Sequence, residues 1–240
     1  MGVGFDDLTR ENAIDLCKRL IDEHRSAYMV TPNPEIVMAA WENAELHDAI
    51  CNADLVIPDG IGVVKAARII GTPLKERLPG IEIGEAILEY AAQTGKSVFL
   101  LGAKPGVADA AKEKMQETYP GLNVCGTNDG YFKDDGPVVE KINAAQPDFL
   151  MVCLGAPKQE LWMAQNAERL DVGLMAGLGG SLDVFAGTVM RAPKAWQEMN
   201  AEWLYRCIKE PWRLKRIARL PLFIIKAWIK RIRKFFNGKG

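Results

Sequence analysis

Two periods of apolar residues alternate along the chain. Short, largely apolar runs stand at 27–31 (AYMVT), 53–57 (ADLVI), 97–101 (SVFLL), 148–154 (DFLMVCL) and 172–176 (VGLMA), with a shorter one at 122–125. Between them apolar residues recur every three or four positions. This spacing predicts helices over 8–25, from about 34, after 60, and over 83–93, 107–118, 137–145 and 158–169. Strands that are apolar at consecutive positions are those covered on both faces, and strands alternating with helices favour parallel pairing. The fold class expected is α/β, a Rossmann-like, mostly parallel sheet with helices on both faces. Helices dominate from Pro193 onward, and the expected division is an α/β domain over 1–205 with a helical appendage over 206–240.

Four expected strand ends run into polar or glycine-rich turns: Thr31-Pro32-Asn33-Pro34, Pro58-Asp59-Gly60, Gly102 to Gly106, and Gly155 to Gln159. In open parallel sheets ligands sit at the carboxyl ends of strands, so these turns should line one crevice. Helices starting there aim backbone N–H groups and positive dipole ends into it, which suits a diphosphate.

Charge changes the picture at the C-terminus. The net charge of -1 over 240 residues hides twelve Lys/Arg and a single acid between Arg206 and Gly240. An acidic body with a basic tail points to an anionic surface. On a helical wheel Leu222, Ile225, Trp228, Ile229, Ile232, Phe235 and Phe236 share one half, and Lys226, Lys230, Arg231, Arg233 and Lys234 the other; Phe223 and Ile224 break the pattern. That is the profile of a helix lying in a membrane interface, against the plainer reading of a terminal helix packed on its own core or on a neighbouring subunit. The run from Leu220 to Ile229 is too short and too charged to span a bilayer. The acidic N-terminus lacks the apolar segment of a secretory signal. Five cysteines without a CxxC spacing suit a reducing compartment. The expected location is therefore cytoplasmic, peripheral on the inner face of the membrane. An acidic body and an aromatic-rich tail argue against nucleic acid.

Several residues could carry chemistry. Asp59 ends an apolar strand, where a helix N-cap and a general base are equally good readings. The run from Gly60 to Lys65 fails the dinucleotide fingerprint at its last glycine, so a nicotinamide enzyme is a weak alternative. Thr31 and Asn33 fit either a turn or a binding site. Gln159, early in a helix, is by itself an exposed helix residue, and Arg77 is either surface charge or a phosphate clamp. Only two histidines, His24 and His47, are present, with no Asp-x-Asp pair, no Walker loop and no nucleophile elbow. No cofactor and no metal is expected, and any diphosphate would rest on protein cations and helix ends.

Five motifs in order then carry a resemblance: Thr31 to Glu35, Pro58-Asp59-Gly60, Gly155-Ala156-Pro157-Lys158-Gln159-Glu160, Gly187 through Arg191-Ala192-Pro193, and Glu202-Trp203-Leu204-Tyr205-Arg206. From about Tyr28 to Arg219 the chain resembles the bacterial WecG/TagA/CpsF glycosyltransferases. The resemblance implies an inverting, metal-independent transfer from a UDP-sugar donor to a polyprenyl-diphosphate-linked acceptor. In the teichoic acid branch of that family, N-acetylmannosamine passes from its UDP form to N-acetylglucosaminyl-diphospho-undecaprenol through a β-1,4 bond. It implies Asp59 as the base and Thr31, Asn33, Arg77 and Gln159 in substrate binding, joined by Arg206, Arg213 and Arg216 of the appendage. Glu82 stands where many members carry Asp. Two rivals remain at this point: the same enzyme with another donor, UDP-N-acetylmannosaminuronic acid or a UDP-hexose, and a non-catalytic nucleotide-sugar-binding membrane adaptor. The oligomeric state is open between a monomer and a homo-oligomer.

Overall fold

A computed structural model describes residues 1–209 and 219–237. Six strands form one parallel sheet in the order β2-β1-β6-β5-β3-β4. They are β1 (Ala27–Val30), β2 (Leu55–Val56), β3 (Ser97–Gly102), β4 (Asn123–Asn128), β5 (Phe149–Cys153) and β6 (Leu174–Gly177). The Rossmann-like α/β class expected from the pattern is the one found. From β1 the chain moves to one edge, from β3 to the other, and β5 and β6 fill the gap between them.

The helices of the body are α1 (Arg10–Glu23), α2 (Pro34–Ala40), α3 (Ala44–Cys51), α4 (Ile61–Ile70), α5 (Gly80–Thr94), α6 (Val107–Thr118), α7 (Gly136–Ala145), α8 (Lys158–Asn166) and the short α9 (Ser181–Phe185). Beyond them come α10 (Lys194–Glu198), α11 (Glu202–Lys209) and α12 (Leu220–Asn237). The single helix expected from about Pro34 is two. Asn43 stops it by accepting the Leu46 N–H at 3.0 Å and capping a new helix, α3.

The continuous apolar strands supply two cores. Along β5, Phe149, Met151 and Cys153 join α1, α5 and α6 on one face. Leu150 and Val152 face the other way and meet residues of α2, α3, α7 and α8. Cys17, Cys153 and Cys207 are buried, but Cys51 is exposed. Burial pushes the Cys17 and Cys153 thiols up to about 12, so both are inert packing groups.

A third cluster joins the tail helix to the body. Phe223 and Ala227 of α12 are buried with Val37 and Met38 of α2 and Val63, Ala66 and Ile70 of α4. The Phe223 ring stacks on Trp41 at 5.8 Å, and Lys226 Nζ lies 3.8 Å from the centre of the Trp41 ring. Phe223, a break in the pattern on the wheel, is thus the residue that docks the helix. The basic half of α12 turns toward the body, where Arg231 donates to the Ile70 carbonyl. Leu222, Ile225, Trp228, Ile229, Ile232, Phe235 and Phe236 are all exposed, Trp228 at 54% and Phe235 at 59%. No helix among the described residues is long and apolar enough to cross a membrane.

Candidate active site

Close packing at glycines draws the strand-end turns together. A β-carbon at Gly60 would lie 2.6 Å from Pro34 Cδ and 3.2 Å from Asn33 Cβ, and one at Gly62 would lie 2.7 Å from Pro34 Cγ. The turn after β2, which carries Asp59, therefore rests directly on the turn after β1, which carries Asn33. The Gly60-x-Gly62 pair that mimicked a dinucleotide fingerprint lets α4 approach Pro34. The N-cap of α4 is Gly60 rather than Asp59. Asn33 does serve as a cap, its Oδ1 accepting from the N–H groups of Glu35 at 2.9 Å and Ile36 at 3.1 Å.

Thr31 is buried at the end of β1 and donates its hydroxyl to the Gly177 carbonyl at 2.9 Å, joining β1 to β6. A β-carbon at Gly80 would touch Thr31 Cγ2 at 3.1 Å, so the N-terminus of α5 sits at this junction too. Gln159 lies beyond β5, three strand spacings from the end of β2, about 14 Å across the sheet. Its side chain closes part of that span: Oε1 accepts from the Gly179 N–H at 3.0 Å, in the turn that follows β6. A sequential path of contacts thus runs from Asp59 and Gly60 through Asn33 and Thr31 to Gly177 and Gln159. Gln159 is only 2% exposed, which sets aside its reading as a surface helix residue.

Helices α4, α5, α6 and α8 begin at this carboxyl edge without a side-chain cap. Some of their first N–H groups donate to turn carbonyls, Val107 to Lys104 at 3.0 Å and Gln159 to Gly155 at 2.9 Å, and the positive dipole ends favour an anion at this edge.

The Leu78 N–H donates to the Pro58 carbonyl at 2.9 Å and so joins the segment carrying Arg77 to the turn carrying Asp59. Arg77 is half-buried. Its guanidinium donates to Asn200 Oδ1 at 3.2 Å and pairs with Glu202 Oε2 at 3.6 Å. Glu202 also faces Arg191 Nε at 4.0 Å, and Arg191 pairs with Glu82 at 2.6 Å and Glu85 at 3.6 Å. Glu82, whose role the sequence left open, also meets Arg10 at 3.9 Å, so it bridges α1 and the segment after α9. Burial raises the Glu85 carboxyl above its ordinary range, opposed by Arg191. This network ties Arg77 to the start of α11. It is a set of long-range pairs, and nothing in the spacing of Arg77, Arg191 and Glu202 announces it.

Arg206 falls within α11, while Arg213 and Arg216 lie outside the described residues. Among the described residues no three His, Cys, Asp or Glu side chains converge as a metal-ligand set. Glu160 stood in the sequence only as part of a motif. Glu160 is fully buried beside Gln159 and accepts from its amide at 2.9 Å, although an isolated Glu after Pro-Lys-Gln reads as a solvated helix residue.

The model of the glycosyl transferase WecG/TagA/CpsF family matches residues 1–236. A Bacillus spizizenii protein named N-acetylglucosaminyldiphosphoundecaprenol N-acetyl-beta-D-mannosaminyltransferase is 37% identical over 85% of this chain and 79% of its own. A Staphylococcus aureus (strain MW2) protein of the same name is 36% identical over 94% of this chain and 90% of its own. With a family model matching nearly end to end, the chain belongs to the WecG/TagA/CpsF family and is a glycosyltransferase.

Proposed function

We propose that this enzyme moves N-acetylmannosamine from UDP-N-acetylmannosamine to the C4 hydroxyl of N-acetylglucosaminyl-diphospho-undecaprenol, forming a β-1,4 bond in a linkage-unit step of wall teichoic acid synthesis. One observation carries the reading: relatives more than one-third identical across most of both chains bear that activity in their names. The transfer is a single displacement. The Asp59 carboxylate takes the proton of the acceptor hydroxyl as its oxygen attacks the anomeric carbon. The bond from that carbon to the diphosphate breaks, and UDP departs with the electron pair. Inversion follows from one attack on the face opposite the leaving group. Charge on the leaving diphosphate is met by Arg77 and the uncapped ends of α4, α5, α6 and α8, without a metal. Thr31, Asn33 and Gln159 shape the donor pocket, and Arg206, Arg213 and Arg216 grip the acceptor diphosphate.

The body spans 1–205, and the segment 206–240 is the membrane-binding appendage. The exposed apolar face of α12 supports contact with an anionic bilayer, with the basic residues beside it at headgroup height. The enzyme works there on the inner face of the cell membrane.

The test is a donor screen against a short-chain N-acetylglucosaminyl-diphospho-lipid, read by mass spectrometry. The expected product is heavier by one N-acetylhexosamine, from UDP-N-acetylmannosamine alone. A product only from UDP-N-acetylmannosaminuronic acid or a UDP-hexose replaces the donor. No UDP release with any donor leaves a nucleotide-sugar-binding adaptor.

A further inference from the structure

A carboxamide presents an oxygen at one end and an NH2 group at the other, and it can turn over. In Gln159 both ends are engaged. The oxygen accepts from the Gly179 N–H at 3.0 Å, and the nitrogen donates to Glu160 Oε1 at 2.9 Å. The Glu160 oxygen that receives this bond acts as an acceptor, so the NH2 end of Gln159 is the end that faces it. Turned over, the amide would set oxygen against oxygen at Glu160 and N–H against N–H at Gly179. The contact at Glu160 is buried and the one at Gly179 partly so, and mismatched polar groups cost most where water is excluded.

The orientation matters because of what lies at each end. The Gln159 nitrogen rests against the end of β6, where a β-carbon at Gly177 would lie 3.0 Å from it. The Gly177 carbonyl is the acceptor of the Thr31 hydroxyl. The Gln159 oxygen holds the turn at Gly179, whose φ of +57° favours glycine. A wall of the crevice thus hangs on one amide, and that amide on one carboxylate. The second oxygen of Glu160 is buried and has no hydrogen-bond partner among the described residues. Burial raises the carboxyl above its ordinary range, and the hydrogen bond from Gln159 pulls against that shift. A group buried at this cost for packing alone would be better replaced by an apolar side chain.

We propose that Glu160 is a positioning residue for donor binding: it fixes the orientation of the Gln159 carboxamide, and through it the Gly177–Gly180 turn that walls the donor pocket. This rests on the glycosyltransferase reading above.

The experiment compares full-length Glu160→Leu, Glu160→Gln, Gln159→Leu and the double variant Glu160→Leu/Gln159→Leu. It reads kcat and donor KM, and amide hydrogen exchange of the peptide covering 177–183. Glu160→Leu keeps the bulk and removes the acceptor. It should raise donor KM about tenfold, leave kcat within about threefold, and speed exchange at Gly179. Glu160→Gln can offer its own amide oxygen to Gln159 and should restore both readouts. The double variant should be no worse than Gln159→Leu, because the two residues act in series. The idea is overturned if folded Glu160→Leu keeps wild-type KM and exchange, if Glu160→Gln is as impaired as Glu160→Leu, or if the two effects multiply. If Glu160→Leu does not fold, Glu160→Met takes its place in the same comparison. If the wild type turns over no UDP-sugar, the donor reading fails, while exchange at Gly179 still decides whether Glu160 holds the turn through Gln159.

Discussion

Thr31 Oγ1 donates to the Gly177 carbonyl across 2.9 Å and so ties the end of the first strand to the end of the last. Both residues are buried, and Gly80 packs directly on Thr31. Thr31→Val keeps the shape and leaves that carbonyl one donor short. The expected loss is about 1–2 kcal/mol of stability, a fall in Tm of about 2–8 °C for a chain of this size. Donor KM should rise with it. Thr31→Ser, which keeps the hydroxyl, should recover most of both. Thermal melts and donor titrations of the two variants check this; equal behaviour of Val and Ser would make the contact incidental.

Gly62→Ala tests the close approach that gathers the crevice. Its β-carbon would fall 2.7 Å from Pro34 Cγ, so α4 or the turn after β1 must shift. Overpacking of this kind costs about 1–3 kcal/mol. Because the shift acts on the turns carrying Asn33 and Asp59, turnover should fall more than stability alone explains. A variant that melts lower yet has wild-type kcat and KM would show that the site tolerates the displacement.

Asp59→Asn should retain UDP-sugar binding and lose turnover by roughly 10²–10⁴-fold, the range for removing a general base. Isothermal titration with the donor and initial-rate assays separate the two effects. Near-normal turnover would move the base to another residue.

The strands and their parallel pairing were legible because they rest on local pattern. The turns at Thr31, Asp59 and Gln159 could be placed at strand ends from apolar runs alone. What stayed hidden depends on contacts distant in sequence. Gln159 and Glu160 look like the solvated first turn of a helix until the Gly179 turn folds over them. Arg77 reads as a surface cation until Glu202, far along the chain, arrives beside it. The break after Trp41 is local, but the apolar spacing continues through it and only the Asn43 cap marks the restart. Phe223 was set aside because the wheel assumes one buried face, and α12 has two apolar faces of unequal width.

Metal independence is expected from the scarcity of ligands. Activity should survive excess chelator with no change in kcat or donor KM. Loss on chelation, restored by Mg²⁺ or Mn²⁺, would mean that a divalent ion holds the diphosphate in place of the helix ends and Arg77.

The two faces of α12 separate anchoring from folding. Phe223 and Ala227 are buried against α2 and α4, whereas Trp228, Ile232 and Phe235 are exposed. Removing the whole appendage would therefore open Val37, Met38, Val63, Ala66 and Ile70 to water, and a lower Tm is expected. Point variants are the sharper test. Phe223→Ala removes a ring stacked on Trp41 and should cost about 3 kcal/mol or more, near the lower end for a buried Phe. The triple variant Trp228→Ser, Ile232→Ser, Phe235→Ser touches none of that contact. It should melt as the wild type does and lose binding to vesicles containing anionic lipid, since interfacial binding scales with the apolar area inserted. Turnover on a water-soluble acceptor should be unaffected by the triple variant, and turnover on acceptor in vesicles should fall with binding. Co-sedimentation at two salt concentrations reports the share carried by the basic residues, which weakens as salt rises. If the triple variant sediments with vesicles as well as the wild type does, the exposed face is not the membrane contact. A shift of the wild type to a dimer in sedimentation velocity, absent in the triple variant, would then assign that face to a second copy of the chain.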